Sequence, residues 1–152
     1  MRGLLNGLGN SFFICFKQTG DLSDVSEAIL CQQKAIHHTP KNHIDMPDLL
    51  NDLGAAFQVH FELTGDLAGI TEAILSQQKA LHLIPQGHED LPRMLSNIGN
   101  SFLSRLKHTR DLTDVSEAIS SLQKAVHLTP QGHAVMPVLL NNLGNSFSIH
   151  FE

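Results

Sequence analysis

Residues 139–147 read LLNNLGNSF, and the phrase returns as LLNGLGNSF at 4–12, LLNDLGAAF at 49–57 and MLSNIGNSF at 94–102. The glycines near its centre, Gly9, Gly54, Gly99 and Gly144, stand every 45 residues. A fixed period of this size marks a chain built by stacking one supersecondary unit, and it takes precedence over every other feature. The expected organisation is one repeat array over 1–152, with copies at about 2–46, 47–91 and 92–136 and a partial copy at 137–152.

The second copy shows what one unit is. Leu50, Leu53, Phe57 and Phe61 are spaced 3, 4 and 4, which is one face of an α-helix. Pro47, Pro92 and Pro137 sit at the start of this pattern, where a missing N–H costs little. Gly20 and Gly65 then supply a residue able to end the helix in the left-handed conformation. The third copy has Arg110 there, so that turn is expected to be strained or closed differently.

A second helical pattern follows. Asp24 and Asp114, each answered by Glu three residues on (Glu27, Glu117), look like N-caps of capping boxes. Ile29, Ile74 and Ile119 recur with Ile36, Leu81 and Val126, and alanines stand seven apart at 28/35, 73/80 and 118/125. Small side chains at two-turn spacing let a neighbouring helix approach closely. Pro40, Pro85 and Pro130 end this helix, and Asn42, Gly87 and Gly132 tolerate positive φ, which predicts a tight turn. Glycine inside the first helix costs about 1 kcal/mol relative to alanine. Its return in each copy implies that the second helix crosses there. The core is expected to be Leu5, Leu8, Phe12 and their equivalents, packed on Ile29, Ile36 and theirs.

These residues resemble the tetratricopeptide repeat: an apolar residue, Leu-Gly, an aromatic, two alanines and a proline, here Leu50, Leu53-Gly54, Phe57, Ala73, Ala80 and Pro85. The standard repeat is about 34 residues, so these copies have longer helices and a longer inter-repeat loop. In length they are similar to kinesin light chain repeats. They are more similar still to arrays in fungal and bacterial proteins joined to caspase-like or nucleotide-binding domains. The resemblance implies an all-α, right-handed solenoid of antiparallel helix hairpins with about seven helices, and a protein–protein interaction scaffold that binds a peptide or helix along a concave groove. The alternative is a structural spacer or self-association segment of a larger protein, joined through Phe147 and Phe151 of a last helix that lacks a following one.

Two sets of polar residues follow the period. Asn6, Asn51 and Asn141 share one place on the first helix, and Asn10, Asn100 and Asn145 lie one turn on. An amide offers a donor and an acceptor, so a ladder of them suits the backbone of an extended peptide. Alternatively, these side chains bond within the array and position helices. Histidine recurs at 37, 82 and 127 near the end of the second helix, and at 43, 88 and 133 in the loop. Helix-dipole and loop hydrogen bonding account for these better than metal, because zinc-site spacing is absent.

Composition sets the outer bounds. The chain is 41% hydrophobic and 16% charged, lacks Trp and Tyr, and carries a net charge of −5 without a basic cluster, so nucleic acid is not an expected partner. No apolar run has membrane-spanning length, and the N-terminal residues match the internal copies rather than a signal peptide. Cys15 and Cys31 do not recur, which fits a cytoplasmic, reducing compartment without a disulfide framework. No phosphate loop or catalytic-cysteine signature is present, and no enzyme activity, cofactor or metal is expected.

Overall fold

The structure, a computed structural model, describes residues 2–150. It is all-α, with seven helices among those residues: α1 (Arg2–Thr19), α2 (Leu22–His37), α3 (Met46–Thr64), α4 (Leu67–Leu83), α5 (Leu91–Thr109), α6 (Leu112–Leu128) and α7 (Met136–His150). The chain forms two compact units, Met1–Leu83 and Ile84–Glu152. Within each, consecutive helices pack: α1 on α2, α2 on α3 and α3 on α4 in the first, α5 on α6 and α6 on α7 in the second. Two-residue connections join α1 to α2, α3 to α4 and α5 to α6, so each pair is an antiparallel hairpin in a helical-repeat arrangement.

The first helices end as their sequences require. Gly20 and Gly65 take φ of 71° and 74°, and their N–H groups donate to the carbonyls of Phe16 and Phe61, at 2.7 Å in both cases. Arg110 adopts the same closure at φ 57°, donating to the Leu106 carbonyl at 2.8 Å, so the third turn is not closed differently but carries the left-handed strain of a Cβ-bearing residue. Leaving that turn, the chain enters the second helix at once, and the caps are Asp21 and Asp111 rather than Asp24 and Asp114. The Asp21 carboxylate accepts from the Ser23 N–H, and Asp111 from the Thr113 N–H, both at 2.9 Å. These bonds hold the Asp21 carboxyl below its ordinary pKa.

The acids three residues on face the hairpin partner instead. Asp114 is buried and takes a bidentate pair from Arg105, Nε at 3.0 Å and Nη2 at 2.7 Å, which clamps α6 to α5 and raises the guanidinium pKa. In the first copy Asp24 instead accepts from the Thr19 hydroxyl at 3.1 Å.

The in-helix glycines have the packing reason the pattern implies. A Cβ on Gly54 would lie 2.5 Å from Gln77 Cγ and 3.0 Å from the Ala73 carbonyl oxygen, and one on Gly99 would lie 2.8 Å from Leu122 Cγ. At Gly9 the approach to α2 is slightly looser, with Gln32 Cγ at 3.1 Å. Around these crossings the alanines at 28, 35, 73, 80, 118 and 125 are fully buried. In the first unit Val25, Ile29, Leu53 and Ala56 form the core, with Phe16, Ile36, Phe57 and Val59 against it.

The expected core stripe holds on α3 and α5, where Leu50, Leu53, Leu95, Ile98 and Phe102 are buried. It fails on α1 and α7, where Leu8, Leu140 and Phe147 are exposed. α3 is packed by α2 on one side and α4 on the other, whereas α7 packs mainly on α6, with a small contribution from α5. Among the described residues, no helix is long and apolar enough to cross a membrane.

Candidate functional site

The second unit carries a groove of about 660 Å³ where two loops and two helix starts converge. The Pro85–His88 and Pro130–His133 segments are built alike. The His88 and His133 N–H groups donate to the Pro85 and Pro130 carbonyls, at 3.2 and 3.1 Å, across Gly87 and Gly132 at φ 79° and 81°. Only glycine reaches that conformation cheaply. In the first copy the expected tight turn forms with the same bond, His43 to Pro40 at 3.0 Å, although Asn42 closes it without positive φ.

The loop histidines then organise the entry to the next helix. His43, His88 and His133 each accept a backbone N–H through Nδ1, from Asp45 (3.0 Å), Asp90 (3.1 Å) and Val135 (3.3 Å). An accepting Nδ1 carries no proton, so the neutral ring bears its hydrogen on Nε2. Among the described residues, no group of three or more His, Cys, Asp or Glu side chains is placed to hold a metal ion.

Leu91 and Pro92 from the first turn of α5, Leu128 from the end of α6, Val135 just before α7 and Val138 and Leu139 in its first turn give the groove its apolar lining. Ser96 and Asn97 add a hydroxyl and an amide to the α5 wall, and His88, Glu89 and Arg93 stand on the loop side. Arg93 leans to Asp90, 3.6 Å between charged atoms.

The six asparagines do not form one exposed ladder, and none of them lines this groove. Asn51 is 1% exposed, since α3 is covered on two sides and that place falls on a covered arc. Asn100 is half-buried and accepts from Asn142 Nδ2 at 3.0 Å, tying α5 to α7. Asn6 is half-buried, with an Oδ1 that has no hydrogen-bond partner among the described residues. Asn10, Asn141 and Asn145 are exposed. At Asn51 and Asn100 the positions thus face the interior of the array, where an amide positions helices.

The groove residues are not marked by recurrence. Their signal is a departure from the repeat. Val135 stands where the other copies have Asp45 and Asp90, and Val138 where they have Asp48 and Arg93. Apolar residues at otherwise charged places turn an ordinary loop corner into an apolar wall. No family model matches the chain, and no curated protein matches it.

Proposed function

We propose that the chain is a protein-interaction scaffold of the tetratricopeptide-repeat kind, and that its second unit binds an extended peptide segment with an apolar anchor side chain. The observation that carries this reading is the groove of about 660 Å³, within the size range in which pockets bury a ligand. Its walls are two short connections and two helix starts. That geometry suits a few residues of extended chain; a helix needs an apolar trough several turns long to seat i, i+3, i+4 and i+7 anchors. Val135 and Val138 are exposed on the wall and supply apolar contact, while Ser96 adds a hydroxyl to it.

Panning a random peptide library on the purified chain, followed by fluorescence anisotropy on a selected peptide, tests this. Val138 is 59% exposed, so Val138→Asp leaves the fold intact and places a charge on the wall. The selected peptide should bind the wild type and lose at least tenfold in affinity on the variant. A library that yields no binder, or binders indifferent to Val138→Asp, refutes the groove reading. The rival reading, a self-associating spacer, draws on exposed Leu140 and Phe147 of α7; Phe151 lies outside the described residues. It requires a dimer in sedimentation equilibrium.

A further inference from the structure

The hairpins differ at one pair of facing places. In the third copy Arg105 of α5 faces Asp114 of α6. Its guanidinium is held by both carboxylate oxygens, lies 5.7 Å from the centre of the Phe102 ring and feels the charge of Asp111 as well. In the second copy the same two places carry His60 and Gly69, but the surroundings keep their counterparts: Phe57 for Phe102, Asp66 for Asp111 and Glu72 for Glu117. The shorter side chains leave a cleft of about 360 Å³ in the first unit, bounded by α2, α3 and the start of α4. Ile29 and Gly69 are its buried residues, Phe57 and His60 are half-buried, and Asp66 and Glu72 are exposed at its rim. A Cβ on Gly69 would meet nothing nearer than the His60 Nδ1 at 3.9 Å, so the space that the Asp114 side chain fills in the third copy is open here.

We propose that this cleft is a binding site for an arginine side chain of a partner protein, its stem against Ile29 and Phe57 and its guanidinium between Asp66 and Glu72. The third copy shows what the place suits, because there the chain supplies a guanidinium of its own. In the second copy the aromatic ring and the two rim acids persist without one. The acid that holds Arg105 is the one lost, and its absence makes the room for a stem entering from outside. An arginine buries its methylenes on apolar surface while its planar cation rests on a ring face, and Ile29, Leu30 and Phe57 offer both. Asp66 spends Oδ1 on the Ala68 N–H, at 3.1 Å, and keeps Oδ2 for a second donor. A lysine ammonium is a compact charge that neither stacks on the ring nor spans two carboxylates, so the site favours the guanidinium. The cleft shares no residue with the groove of the second unit, and failure of one reading leaves the other standing.

The probe is N-acetyl-arginine N-methylamide, titrated into the isotope-labelled whole chain while NMR follows the amides of Gly69 and Glu72. Saturable shifts are expected in the millimolar range. The citrulline derivative has the same shape without the charge, and it should bind about fivefold more weakly or worse, as should the lysine derivative. Asp66→Asn with Glu72→Gln should cost a similar factor; both residues are exposed and Asn still caps a helix, so the fold is kept. His60→Arg supplies from within what the cleft takes from outside and should compete the probe away. Gly69→Leu fills the space and should abolish the shifts with helical content unchanged in circular dichroism. Absence of saturable shifts, equal binding of the citrulline or lysine derivative, or full binding to Gly69→Leu or His60→Arg overturns the proposal. Free arginine brings an α-carboxylate to an acidic rim and should bind no tighter than the blocked derivative. If it binds about tenfold tighter, the cleft belongs to a small molecule and the partner reading is overturned.

Discussion

Gln77 is the residue whose replacement most sharply tests how the hairpins are held together. It is 1% exposed, directly under Gly54, and neither its amide nitrogen nor its amide oxygen has a hydrogen-bond partner among the described residues. Gln32 repeats the situation with one orphaned oxygen, but the third copy has Leu122 there, fully buried against Gly99. The fold has therefore already shown that leucine fits this crossing. An unsatisfied buried polar group costs about 1–3 kcal/mol, and a fully buried leucine contributes about 1.5–3 kcal/mol. Discounting for Gln77's own buried methylenes and for imperfect repacking, Gln77→Leu should stabilise the protein by about 2 kcal/mol. For a chain of this length each kcal/mol moves Tm by roughly 2–4 °C, so a rise of about 4–8 °C is expected. The assay is thermal unfolding by circular dichroism, with Leu122→Gln as the reciprocal variant, which should fall by a similar amount. A loss of stability in Gln77→Leu would refute the reasoning, since it would mean that the glutamine amide is bonded in solution and organises the hairpin.

Other outcomes follow from the same structure. Arg110→Gly removes a left-handed residue with a Cβ, and after allowing for glycine's greater freedom in the unfolded chain it should stabilise by about 0.5–1 kcal/mol, read as a shift of the urea midpoint. Asp114→Ala leaves Arg105 without its bidentate acceptor and should destabilise by about 2–3 kcal/mol in chemical denaturation; Arg105 keeps some access to water, which holds the loss below that of a fully buried pair. Asp21 has a folded pKa below its unfolded one, so its cap contributes fully above the ordinary carboxylate pKa and is lost as pH falls through the lower folded value. Titration of the Asp21 carboxyl by NMR should therefore give a midpoint below that of Asp21 in the urea-unfolded chain.

Much of the architecture was legible because it is written four times. The apolar spacing, the prolines at the first-helix starts and the glycines at 9, 54 and 99 each have one physical job, and the structure gives them that job. The caps stand three residues upstream of the expected ones because D-L-S-D and D-L-T-D offer two acids, and only the left-handed turn just upstream decides between them. The asparagines were harder. Whether an amide on a first helix meets solvent or a neighbour depends on which sides of that helix are covered, so Asn51 is buried and Asn141 exposed at the same place in the repeat. The groove was missed for the opposite reason, since Val135 and Val138 break the period instead of obeying it.

At the centre of this account stands the claim that the first-helix glycine marks where another helix docks, and that on α7 this place is open. Thermal unfolding of Gly54→Ala and Gly144→Ala, measured side by side, tests it most directly. At Gly54 the added methyl meets Gln77 and the Ala73 carbonyl, and overpacking of that kind costs about 1–3 kcal/mol. At Gly144 it meets nothing, and the better helix propensity of alanine should contribute up to about 1 kcal/mol. The account predicts a lower Tm for Gly54→Ala and an unchanged or higher one for Gly144→Ala; an equal fall in both would contradict it.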